Sequence, residues 1–236
     1  MNNAMAAIQL KARQVQLAQA VNANNLANAS TDGFVAELAH FGSGVTGDVQ
    51  YSVPDFKRGP VRQTGRELDA SIQGEGWITV LGADGEEAYS RRGDFSIDAG
   101  GLLTDGAGRM IMGNGGPIAL PPYESVTIAI DGTISIRPLG SQSNNMAVVD
   151  RLKLVNPPPT NLVRGEDGLF RLASGVPAEA DGGVRLQIGT LEGSNVSAVG
   201  ELLKMMDLAR EFEANFKLMQ DSDDNHKRLH SILRVN

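Results

Sequence analysis

The sequence contains no cysteine, which excludes disulfides, thiolate nucleophiles and cysteine-ligated metals. Histidine occurs three times, leaving few bases from which an acyl-transfer triad could be assembled. Aromatic residues make up 5% of the chain, too few for an aromatic-rich glycan-binding face. No apolar run approaches the roughly 20 residues of a membrane-spanning helix. The N-terminus lacks a basic cluster followed by an apolar core, so a cleaved secretory signal peptide is not expected. A net charge of −7 leaves no global basic footprint for nucleic acid. A cytosolic protein fits these absences, and so does one exported without a cleaved signal; composition does not choose between them.

What is present falls into three unlike parts. Residues 1 to about 30 contain neither glycine nor proline. Met1, Met5, Ile8, Ala12, Val15, Asn22 and Leu26 follow alternating steps of four and three, with Gln19 as a polar interruption. This predicts a helix with a narrow heptad seam, stopped at "STDGF" with Gly33 as the left-handed residue. Four of the seven residues from Asn22 to Asn28 are asparagine, a mediocre helix former that is costly to bury without a partner. From about Ser197 to Leu233 a second helix is predicted, capped by Ser194 or Ser197. Its apolar stripe is Leu202, Met205, Met206, Ala209, Phe212, Phe216 and Met219. The two helices are expected to pair as a coiled coil.

Between them the pattern is β. Asp-Gly recurs at 84–85, 105–106, 131–132, 167–168 and 181–182, and Asn114-Gly115 adds another turn. Such pairs between alternating apolar runs signal hairpins. "VTIAIDGTISI" is the clearest case, with Val126, Ile128 and Ile130 on one face and Ile134 and Ile136 beyond the turn. Further strands are expected at 76–82, 87–98, 109–113, 151–155, 168–173 and 183–189, with "NPPP" an irregular connection. The fold class is therefore mainly β with α-helical termini. The expected division is an N-terminal helix (1–34), an extended arm (35–69), an all-β domain (70–190) and a C-terminal helix (191–236).

No catalytic or metal-binding motif in the sequence is complete. "DSDDN" at 221–225 begins like a calcium loop, but His226 and Ile232 occupy the positions of its glycine and glutamate. His226 and His230 have helical zinc spacing without a third ligand, and His40 stands alone. The glycine-rich stretch 98–116 has neither P-loop nor dinucleotide spacing. "RGD" at 92–94 is a three-residue match of little weight, and Trp77 reads as core or interface. Asp94, Asp98 and Asp105 could be invoked as glycosidase carboxylates, yet nothing in the sequence makes them converge. No catalytic residue, cofactor or metal site is expected, and the chain does not read as an enzyme. A secreted adhesive or glycan-binding β domain with helical oligomerisation termini is a second reading.

"NNLANASTDGF" resembles the N-terminal signature of bacterial flagellar rod and hook proteins, and "GTLEGSNVSAVGELLKMMDLAREFEANFK" (189–217) their C-terminal one. "TGRELDASIQGEGWITV" (64–80) and "YSRRGDFSIDAGGLLTDGAGRMIMG" (89–113) resemble that family's core motifs. The short stretch from Phe34 to Asp69 and the tryptophan of "GEGWITV" are most similar to the proximal-rod branch, the alternative being a distal-rod or hook-type protein. Val35, and Arg66-Glu67 in place of a usual X-Pro pair, depart from the pattern. The resemblance implies a structural subunit of the basal-body rod in the periplasmic space, exported by the flagellar export apparatus without a cleaved signal peptide. Its partners would be other axial proteins of the inner, proximal and distal rod, with no nucleic acid and no integral membrane segment. Subunit contacts are then expected at Met5, Ile8, Val15, Asn22, Asn24, Asn25, Leu26 and Asn28. On the second helix they are expected at Asn195, Val199, Leu202, Met206, Arg210, Phe212, Glu213, Phe216 and Met219. The asparagines would select register through hydrogen bonds, or two of them would cap the helix end. Apart from partners, the terminal helices bury little and are expected to fray around a folded β core.

Overall fold

The computed structural model describes residues 2–44, 47–140 and 146–233, and side chains within 7–42, 51–140 and 146–221. The chain is mainly β with one helix at each end. It divides into two compact units, the first formed by Met1–Ala29, Val35–Asp55 and Val196–Asn236, the second by Ser30–Phe34 and Phe56–Asn195.

The first unit contains helix α1 (Asn2–Ala27) and helix α2 (Ala198–Leu233). Ser197 caps α2: the Gly200 N–H donates to its hydroxyl at 3.3 Å, satisfying an otherwise orphaned donor of the first turn. Asn22 donates to the Glu201 carbonyl at 3.0 Å, Gln19 to the Leu208 carbonyl at 3.4 Å, and Lys11 pairs with Glu211 at 2.8 Å. Numbers fall along one helix as they rise along the other, so the pair is antiparallel. The seam expected on α1 is present but widened. Val15 and Asn22 are buried, and so are Ala18, Val21 and Asn25. The cause is a second neighbour: the antiparallel hairpin of Glu37–Gly44 and Gly47–Pro54 also packs on α1. The helix ends at Ala27, before the expected stop. Gly33 is left-handed (φ 68°) in the turn that follows, where a Cβ would meet the Arg91–Arg92 backbone.

The expected 35–69 arm is divided between the units, its first half forming that hairpin. The second half includes Val61–Gln63, which pairs with Thr190–Glu192.

The second unit is a set of small antiparallel sheets around one core. Its largest sheet has five strands in the order Leu154–Val155, Trp77–Leu81, Glu87–Ser90, Phe170–Leu172 and Leu162–Arg164. A three-stranded sheet is formed by Tyr123–Ile128, Thr133–Pro138 and Ala147–Arg151. Arg185–Ile188 pairs with Ala70–Gln73, joining the two ends of the unit. Ile72, Ile78, Val80, Phe95, Leu103, Ile111, Ile134, Ile136 and Leu186 fill the core. Val126 and Ile128 face it as expected, but Ile130 is 60% exposed because it already belongs to the turn.

The five Asp-Gly aspartates expected at the β turns share one local geometry. Asp84, Asp105, Asp131, Asp167 and Asp181 each accept the N–H two residues ahead, at 2.7 to 3.1 Å. The carboxylate thus replaces a backbone acceptor and closes the turn. Hydrogen bonds from the Thr133 N–H and hydroxyl hold the Asp131 carboxyl below its ordinary value, and Arg171 does the same for Asp167. A depressed carboxylate contributes stability above its unfolded pKa, and that contribution is lost as pH falls through the folded value. The urea midpoint of the β unit is therefore expected to decline below about pH 4. Asp131→Asn combined with Asp167→Asn should flatten that decline.

Candidate functional site

The asparagine run of α1 separates into two kinds of residue. Asn25 is 1% exposed and forms a two-way clamp with the hairpin. Its amide donates to the Glu37 carbonyl at 2.7 Å, and its Oδ1 accepts the Glu37 N–H at 2.9 Å. The side chain thus supplies both halves of a peptide pairing to the first residue of the strand. Asn22, also buried, is bound to the backbone carbonyl and carboxylate of Glu201 on α2. Asn24 and Asn28 lie toward solvent, and the Asn28 amide donates to the Asn24 carbonyl at 2.9 Å. The buried pair fixes α1 to its two neighbours, and the outer pair closes its last turn. Asn25→Ala removes both bonds to the Glu37 backbone from a buried site and is expected to cost about 2 kcal/mol. Asn24→Ala should stay within about 0.5 kcal/mol; urea unfolding of the two variants checks the contrast.

On α2 the bonds to α1 come from Glu201, Leu208 and Glu211. The expected apolar stripe lies largely elsewhere. Val199 is 70% exposed, Leu202 50%, Met206 52% and Phe216 52%. With Ala209 and Glu213, both also exposed, they follow steps of three and four along one side of the helix. Such spacing is a heptad seam, and it faces away from α1. Arg210 is exposed and pairs with Asp207 at 3.6 Å. Phe212 and Met219 are half-buried, as are Ile8 and Leu26 on α1. The Asn195 amide donates to the Lys57 carbonyl at 2.8 Å. The side chain of Met5 lies outside the described residues, as do those of Asp223, Asp224, Asn225, His226, His230 and Ile232.

The alternative chemistries resolve into local structure. Arg92 grips Asp94 of the RGD triplet at 2.6 and 2.8 Å. Asp105 is buried and bound to Arg109 at 2.7 Å, while Asp98 closes a turn through the Gly100 and Leu102 N–H groups. His40 lies against the Tyr51 ring, with centroids 5.1 Å apart. Trp77 is buried beside Phe170. Among the described residues no acidic or histidine cluster is arranged to hold a metal, and no helix is long and apolar enough to cross a membrane. The two departures from pattern have local roles. Val35 is buried, and Arg66 donates to the Phe95 carbonyl and pairs with Asp69 at 3.3 Å.

Two family models match the chain. Residues 187–232 match the flagellar basal body rod FlgEFG protein C-terminal region, which includes the open seam. Residues 71–136 match the flagellar hook protein FlgE/F/G D1 domain. The flagellar basal-body rod protein FlgF of Escherichia coli is 42% identical over 233 residues, covering 92% of each chain. The chain belongs to the FlgF family of flagellar basal-body rod proteins. FlgF of Salmonella typhimurium is 40% identical, again over 92% of each chain. The rod protein FlgG of Borreliella burgdorferi is 30% identical over 72% of this chain and 66% of its own. FlgF-family membership accounts for both terminal motifs and for the core motifs between them. What the sequence did not disclose is the residues that join distant segments. Glu192, Arg91 and Glu201 lie in or beside the quoted motifs, but no local spacing announces that they meet partners more than a hundred residues away.

Proposed function

We propose that this chain is a structural, non-enzymatic subunit of the proximal flagellar rod. In this reading α1 and α2 enter a coiled-coil array with neighbouring axial subunits, in a hollow shaft crossing the periplasm. The observation that carries it is the open seam Val199, Leu202, Met206 and Phe216, which lies within the segment shared with rod proteins. A helix of this length exposing a regular apolar edge is short of burial by itself and gains it from a second helix. Relatives named as rod proteins, matching nearly end to end, support the assignment. Export by the flagellar apparatus without a cleaved signal belongs to the same reading. So does a register role at subunit contacts for Asn22, Asn24, Asn25 and Asn28, beyond the bonds they make within the chain.

The test is deletion of the gene in its native bacterium, followed by electron microscopy of basal bodies. Membrane rings without a completed rod are expected. The intact gene should restore the rod, and copies lacking 1–27 or 198–236 should not. Normal rods after deletion would sink the proposal.

A further inference from the structure

The second unit is tied together where the chain enters and leaves it. Residues 30–34, 56–63 and 190–195 meet there, around a Glu192 that is 4% exposed. Its carboxylate takes Arg58 at 2.8 Å, Arg91 at 3.4 Å and the Gly59 N–H at 3.3 Å. The main chain adds three ties. The Gly33 N–H donates to the Glu192 carbonyl at 2.7 Å, the Gly193 N–H to the Pro60 carbonyl at 2.8 Å, and the Asn195 N–H to the Phe34 carbonyl at 3.4 Å. Arg62 reaches Asp32 at 2.8 Å. Aromatic rings back the ionic centre: Arg91 lies 4.7 Å over Trp77, and Arg164 lies 4.7 Å over Phe34.

Phe34 leads back to α1 and Asn195 leads on to α2. Their hydrogen bond places the two exits side by side within the second unit. Asn22 and Glu201, partners in the helix pair, are 179 residues apart in sequence. With the exits tied, about 18 residues of chain (22–34 and 195–201) separate them, so the loop that pairing must close is short.

We propose that this clasp is a conformational device that promotes pairing of α1 with α2. The pair by itself is weakly held. Its cross-helix bonds are polar and partly exposed, and the apolar seam of α2 faces away from α1. The clasp raises the effective concentration of each helix at the other without adding a contact between them. If it opens while Ala70 and Ile188 stay paired, the loop grows to about 44 residues, because Glu37 and Pro54 remain together in the hairpin. Pairing then weakens about fourfold on three-halves-power scaling.

The molecule carries its own reporter, because its single tryptophan, Trp77, lies in the clasp. Hydrogen exchange of the full chain reads α1 and the core strand Trp77–Leu81 separately. Glu192→Ala is expected to shift Trp77 emission and lower protection of the α1 amides, by up to the roughly fourfold of full opening, leaving Ile78–Val80 unchanged. Shifted emission with unchanged α1 protection overturns the proposal. Should Glu192→Ala lower core protection as well, Asn195→Ala decides, since that side chain ties to the Lys57 carbonyl outside the core. A loss of protection confined to α1 then supports the clasp. Unchanged α1 protection, or equal loss from helix and core, overturns it.

Discussion

Aspartate at both Leu202 and Met206 is expected to abolish rescue of motility in a strain lacking the gene, while thermal unfolding of the β unit stays within about 0.5 kcal/mol. Both side chains are half exposed in the single chain and belong to the seam that α1 leaves open. Burying such a side chain against a neighbouring helix contributes about 1.5–3 kcal/mol. An unpaired carboxylate in the same place must be desolvated, which reverses the sign of the interaction. In the proposed array the two losses recur at every subunit, so a defect tolerable in the monomer would stop the array from growing. Motility in soft agar and unfolding of the purified chain are the measurements. A double variant that swims like the wild type would remove the seam from the assembly interface.

Gly93→Ala is expected to destabilise the β unit by about 3 kcal/mol, the upper range for overpacking. A Cβ at residue 93 would overlap the Ala70 carbonyl oxygen. The Ala70 N–H bonds the Gly93 carbonyl at 3.0 Å, and Asp69 bridges Asp94 beside it. The two backbones are therefore already at hydrogen-bond distance, and neither neighbour is a flexible side chain that could yield. The urea midpoint measures the loss; a midpoint within about 0.5 kcal/mol of wild type would show that the approach is looser than described.

Local chemistry was legible in the sequence where the interaction is itself local. The five Asp-Gly turns and the Val126–Ile136 hairpin depend on residues a few positions apart and are readable from spacing, whereas the α2 cap is narrowed to Ser194 or Ser197 and the structure selects Ser197. The hairpin Glu37–Pro54 was not, and the reason is physical. Its sequence carries no Asn-Gly or Asp-Gly turn, an isolated two-stranded ribbon is marginal, and its anchor is Asn25 on a helix. The asparagine run was visible, but the pattern could not say that Asn25 binds Glu37 and Asn22 binds Glu201, because neither pairing has a period. The apolar stripe of α2 is legible as a stripe, but helical spacing gives a face without saying what lies against it. Membership in the rod family came from motifs spread along the chain, whereas the clasp depends on Arg58, Arg91 and Glu192 converging across the fold.

The adjoining exits at Phe34 and Asn195 have an evolutionary consequence. Chains whose ends lie close together are readily inserted into others. The body of the β unit, Phe56–Asn195, can then be regarded as a cassette set between the hairpin and α2. Its contents can lengthen, shrink or be exchanged without altering the spacing of the helices, provided the replacement also returns its ends to one point. A single helical scaffold could in this way carry β units of different size. A chimera bearing an unrelated domain with neighbouring termini between residues 55 and 196, which keeps the hairpin with the helices, would show whether the scaffold is indifferent to its cargo.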